Sequence, residues 1–207
     1  MRTTADFPSL EEGVLAEGRD AAILHRIGES ATHLAIWHRP PAPGLAGIDA
    51  LDWNAIDDLD FSTPVGELDG EIAEGLIEAG YPEESRAALR NEIAMLARRF
   101  AAIMDCGAVT IRLEIIETDA CRRFHADNVT ARLLATLHGP GTQWIAADAP
   151  DMIHQLPTHA VAVFKGLLAV DRPEILHRSP PIAGMGGTRL LLVIDTCPPA
   201  SDKAGML

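Results

Sequence analysis

Two side chains set the question: His125 and Asp127, in the stretch CRRFHADNVTARLLAT that runs from Cys121 to Thr136. An imidazole nitrogen and a carboxylate oxygen are both metal ligands, and in an extended strand residues two apart share a face. On a strand, His125 and Asp127 would grip one ion from the same side. Two protein ligands rarely suffice, so a third must come from elsewhere in the fold. Two imidazoles and one carboxylate on one face of an octahedron leave three positions open. That arrangement suits non-haem Fe(II), which needs open positions for O₂ and a cosubstrate. With 8 His and 16 Asp among 207 residues, chance alone supplies roughly 0.6 H-x-D pairs. The pair therefore gains its weight from the order of what surrounds it.

Asn128, Arg132 and an apolar run follow Asp127. Much later come a strand-like VAVFKG (Val161 to Gly166), then His177, then Thr188 to Asp195 reading TRLLLVID. That order resembles the 2-oxoglutarate/Fe(II) oxygenases, whose double-stranded β-helix carries H-x-D early, a distal histidine late and a basic residue on the next strand. The resemblance implies that His125, Asp127 and His177 hold Fe(II) and that Arg189 anchors the carboxylate of 2-oxoglutarate. The combination FHADN, GPGT, FKG and HRSPP is also similar, over most of the chain, to an uncharacterised bacterial family described only as a domain of unknown function. The chain departs from many oxygenases in one respect. Its only tyrosine, Tyr81, lies in the amino-terminal half, so no tyrosine partner for the cosubstrate is expected.

Asn128 and Arg132 are expected around the ligands and cosubstrate as hydrogen-bonding support. Cys121 shares parity with His125 and Asp127 if the segment is one strand. As an additional ligand it would favour zinc over iron; otherwise it is a small inward-facing residue beneath the site. Three functional classes follow. The first is an Fe(II)- and 2-oxoglutarate-dependent oxygenase with a small-molecule substrate. The second is a zinc-linked, non-redox metal-binding protein, and the third a metal-free barrel that binds a ligand or a protein.

The elements that must position these residues are legible in outline. Leu89, Ile93, Leu96 and Phe100 recur at the spacing of one buried helix face, in a helix that starts at Pro82, runs to about Asp105 and stops at Gly107. Gly66 to Ala79 and Ile48 to Leu59 read as two further helices, the second broken by Ser62–Pro64. From Ala108 the period changes to two, with Val109, Ile111, Leu113 and Ile115 alternating with polar residues. Further strands are expected at His33 to His38, Ala131 to Leu137, Thr142 to Ile145, His159 to Gly166 and Glu174 to His177. Leu190 to Ile194 is apolar throughout, as in a strand buried on both faces. The expected fold is α+β: amino-terminal helices (1–106) packed on a double-stranded β-helix of jelly-roll or cupin type (107–197), all in one domain.

Composition limits the partners. The formal charge is −13, against the basic face that nucleic-acid binding requires. Residues 1–105 carry 8 basic and 20 acidic side chains, whereas 106–207 carry 9 and 10. Arg132, Arg178 and Arg189 thus stand in the nearly balanced half, where they can meet an anion. No apolar run reaches the roughly 18 residues of a membrane span, and the amino terminus lacks a signal-peptide layout, so a cytoplasmic protein is expected. Cys106, Cys121 and Cys197 form no C-x-x-C pair, which argues against a disulfide framework.

Overall fold

A computed structural model describes residues 10–118, 122–182 and 187–197. Among these residues there are ten strands and two α-helices: β1 (Leu15–Gly18), β2 (Leu34–Trp37), β3 (Leu59–Pro64), α1 (Leu68–Glu78), α2 (Glu83–Met104), β4 (Ala108–Ile116), β5 (Ala131–His138), β6 (Gln143–Ala146), β7 (His154–Gln155), β8 (Val161–Lys165), β9 (Ile175–Arg178) and β10 (Arg189–Thr196). The larger sheet has the order β1-β2-β8-β5-β10-β4-β3, and the smaller β7-β6-β9. All pairs are antiparallel except β1–β2. The class is α+β, with the amino-terminal helices lying against the larger sheet. No described helix is long and apolar enough to cross a membrane.

Alternation along the central strands divides the interior in two. Leu190, Leu192 and Ile194 of β10, Val109, Ile111 and Leu113 of β4, and Leu133, Ala135 and Leu137 of β5 face the helices. There they meet Leu89, Ile93, Leu96 and Phe100, the predicted stripe of α2, each fully buried. On the other face Leu191, Val193, Leu134 and Phe164 pack with Trp144 and Ile175 of the smaller sheet. β10 is central and buried on both sides, as its unbroken apolar sequence implies. The helix α2 ends on Asp105, which adopts the left-handed conformation at φ 50. The expected glycine stop is therefore displaced, because aspartate tolerates that conformation better than most side chains.

The segment read as a helix over Ile48 to Leu59 is corrected. It forms two 3₁₀ turns, Leu45–Ala50 and Trp53–Ala55, and then enters β3. Asp52 accepts a hydrogen bond from the Asn54 amide at 3.2 Å, a local alternative that competes with helix continuation. Ile48, Leu51 and Ile56 are nonetheless buried as their spacing required. Ser62–Pro64, read as a break, closes β3 instead; Pro64 is tolerated because β3 is an edge strand.

Candidate metal centre

The expected strand through Cys121 and Asp127 is also corrected. Cys121 lies outside the described residues, and His125 alone pairs, in a single antiparallel bridge with His177. The two residues exchange both backbone bonds, His125 N–H to His177 O at 3.0 Å and His177 N–H to His125 O at 2.9 Å. A directly opposed pair presents its side chains on one face, and the imidazole centroids stand 4.9 Å apart. The backbone of 127–130 takes its hydrogen bonds from the turn after β8 rather than from a strand partner. Gly166 N–H donates to Thr130 O, Leu167 N–H to Asp127 O and Leu168 N–H to Val129 O. Gly166 is required there, because a Cβ would stand 2.0 Å from Val129 O and 2.9 Å from Asp127 O.

These constraints bring His125, Asp127 and His177 together, with one ligand atom from each within 4.8 Å of the others. His125 Nδ1 lies 2.9 Å from the Arg123 carbonyl. A carbonyl only accepts, so Nδ1 carries the hydrogen and Nε2 is left as the ligand atom. Asp127 uses its two oxygens differently. Oδ1 is 2.5 Å from Arg132 Nη1. Oδ2 is buried and accepts no hydrogen bond, although His177 Nε2 is 3.0 Å away. A buried carboxylate oxygen without a hydrogen bond, beside the His177 imidazole, is a group that a cation would satisfy. The donor set of two nitrogens and one oxygen fits a divalent first-row metal.

The electrostatics of Asp127 and His177 fit groups that can bind a cation. Burial would raise the Asp127 carboxyl, but the imidazoles of His125 and His177 and the Arg132 charge outweigh it and hold it well below the usual carboxylate range. Burial pushes His177 down, towards the neutral form that binds metal. His125 is raised, chiefly by its contact with Asp127.

The three residues line a cavity of about 140 Å³ together with Arg132, Arg178 and Arg189. Arg189, at the start of β10, is 1% exposed. It donates to Ser179 Oγ at 3.0 Å, Thr136 Oγ1 at 3.1 Å and Thr142 Oγ1 at 2.6 Å. Arg178 lies over the Phe124 ring at 4.3 Å and donates to Gln143 at 2.9 Å. Asn128 is exposed and does not line the cavity. Tyr81 is fully buried and also lies outside the cavity lining. His138 pairs with Asp49 at 2.6 Å and His154 stacks on Trp144, so neither joins the site.

Sequence reasoning passed over the hydroxyls of Thr136, Thr142 and Ser179, and also Asp195, which accepts two hydrogen bonds from Arg132. For Asp195 a signal existed. It has the parity of Arg189 on β10, and a charged residue on that face of a buried strand needs a partner.

The fold is similar to those of several solved structures. The dioxygenase for auxin oxidation from rice aligns over 82% of this chain and 75% of its own, with 12% identity and a TM-score of 0.54. A prolyl-4-hydroxylase from Pseudomonas putida aligns over 86% and 98%, with 16% identity and a TM-score of 0.50. The dioxygenase for auxin oxidation 1 of Arabidopsis thaliana, in its 2-oxoglutarate complex, aligns over 89% and 92%, with 7% identity and a TM-score of 0.50. At such identities the likeness is one of fold. No curated protein sequence matches. By sequence the chain belongs, over residues 18–195, to the family described as protein of unknown function (DUF1826).

Proposed function

We propose that this protein is an Fe(II)- and 2-oxoglutarate-dependent oxygenase acting on a small molecule, with the two sheets as the walls of a double-stranded β-helix. The observation that carries the reading is the convergence of His125, Asp127 and His177 in one cavity with the buried Arg189 guanidinium. His125 Nε2, His177 Nε2 and Asp127 Oδ2 would hold the iron. When bound, that metal supplies O₂ activation coupled to oxidative decarboxylation of the cosubstrate.

The chain's own residues orient and enclose. The Arg123 carbonyl fixes the His125 tautomer. Phe164 packs against the His177 ring with centroids 4.6 Å apart. Arg189 is aimed by three hydroxyls and would meet a 2-oxoglutarate carboxylate through two parallel hydrogen bonds. Leu134, Leu191 and Val193 supply an apolar lining that limits water.

Calorimetric titration of the anaerobic Fe(II) protein with 2-oxoglutarate tests this reading. The wild type should bind. Arg189→Met should weaken 2-oxoglutarate at least about tenfold with metal retained, since methionine offers no donor. His177→Ala should lose the metal itself. An iron-loaded wild type that takes up no 2-oxoglutarate would remove the oxygenase reading and leave a metal-binding protein.

A further inference from the structure

Asp195 belongs to the cavity face of the larger sheet, yet the proposed chemistry leaves it without a role. It stands directly opposite Arg132 in the pairing of β10 with β5, and it is buried. Arg132 donates from Nε to Asp195 Oδ1 at 2.8 Å and to Oδ2 from Nη2 at 2.7 Å. Arg112 braces the same carboxylate from β4, with Nη2 3.5 Å from Oδ2. The remaining nitrogen of Arg132, Nη1, is the one 2.5 Å from Asp127 Oδ1. A guanidinium is planar and rigid, so pinning two of its nitrogens fixes the direction of the third. Asp195 thus determines where Arg132 meets Asp127, a contact that engages Oδ1 and leaves Oδ2 facing His177.

We propose that Asp195, acting through Arg132, holds Asp127 as a one-oxygen metal ligand and thereby sets the affinity and selectivity of the triad. The proposal rests on the metal-site reading above. With Oδ1 engaged by Arg132, the carboxylate does not close both oxygens on one ion. Ca²⁺ takes six to eight oxygens and often both oxygens of a carboxylate. First-row divalent ions are satisfied by imidazole nitrogen and a single carboxylate oxygen. The relay therefore favours the second group and keeps positions open for exogenous ligands. Asp195 acts through Arg132 and is a positioning residue.

Co(II) is a suitable probe, because calorimetry gives its affinity and its visible absorption reports the ligand set. Asp195→Asn should weaken Co(II) by about 10–100-fold, the range seen when support behind a ligand is removed, and should shift the absorption band. Arg132→Lys keeps the charge but not the fork, so it should give a similar loss in a protein that still folds. Because the two residues act in series, the double variant should lose little more than the weaker single one. Arg39→Met breaks the buried ion pair with Glu92 away from the cavity. It should lower the denaturation midpoint and leave Co(II) affinity and spectrum unchanged.

Wild-type-like affinity and spectrum in Asp195→Asn and Arg132→Lys would overturn the relay while leaving the metal site standing. Losses that multiply in the double variant would do the same, as would an equal loss in Arg39→Met. A wild type that binds no Co(II) would overturn the metal reading itself, and the relay with it.

Discussion

The larger sheet has two faces built from the same strands, and they differ in the charge they carry. Towards the helices, β4, β5, β8 and β10 present leucine, isoleucine, valine and alanine without interruption. Towards the smaller sheet these strands are apolar only in part, at Leu134, Phe164, Leu191 and Val193. They also carry Arg112, Arg132, Arg189 and Asp195 on that side. Charges on a buried face cost stability unless each is paired or bonded, and here they engage one another and nearby hydroxyls. The contrast assigns stability chiefly to the first face. The second face gives up apolar contact so that polar groups converge on a cavity.

The largest test of that division lies on the helix side. Phe100 is fully buried against the sheet. Phe100→Ala should destabilise the protein by about 3–5 kcal/mol, read as a lower denaturation midpoint, while Co(II) affinity at low temperature stays within about twofold of wild type. A large change in metal affinity would break the comparison, because it would mean that the two faces are not separable. Leu96→Ala should behave alike, at about 2–5 kcal/mol.

The two faces also differed in how legible they were. The helix face announces itself through period: Leu89, Ile93, Leu96 and Phe100 at helical spacing, Val109, Ile111 and Leu113 at strand spacing. Burial against a partner is what such periods report, and these residues are buried. The site face was legible only where residue type is rare and chemistry specific, at His125, Asp127, His177 and Arg189. Its supports were not. Thr136, Thr142 and Ser179 are ordinary hydroxyls until the fold sets them around Arg189.

β1 is a four-residue strand held by its neighbour β2 rather than by pattern. β3 alternates, but its polar residues and terminal proline resembled a break. The expected H-x-D strand failed for a related reason. Arg122 and Arg123 are exposed and give no apolar face to bury, so the segment's hydrogen bonds go to His177 and to the turn after Gly166. Parity drew attention to His125 and Asp127, but a cross-strand bridge and a glycine contact bring them together with His177.

A smaller effect separates positioning from stability on the site face. Gly166→Ala places a methyl group against Val129 O, and the 127–130 segment must move to admit it. The stability cost should be about 1–3 kcal/mol, less than for Phe100→Ala. Metal affinity should nevertheless fall at least about tenfold, since Asp127 belongs to the displaced segment. Unfolding curves and Co(II) titration of one preparation check both halves. Unchanged affinity would show that Asp127 is placed by Arg132 alone.

The smallest effect concerns the seam between the sheets. His33, just before β2, is buried, and its Nδ1 accepts a hydrogen bond from the Glu174 amide at 3.0 Å, just ahead of β9. Burial is the chief cause that lowers its proton affinity; Lys165 acts in the same direction and Glu174 opposes them. The folded-state value lies below the unfolded one, near 6.5, so above that pH both states are neutral and the stability is fully present. As pH falls below about 6.5 the unfolded chain takes up the proton first, and stability declines by at most about 1.4 kcal/mol per pH unit for this group until the folded state is protonated too. His33→Asn keeps an acceptor for the Glu174 amide but does not titrate. Denaturation midpoints of metal-free protein between pH 8 and 5 should fall less steeply in the variant than in the wild type, whatever constant offset the lost packing introduces. Equal slopes would move the acid sensitivity away from the seam and onto the histidines of the cavity.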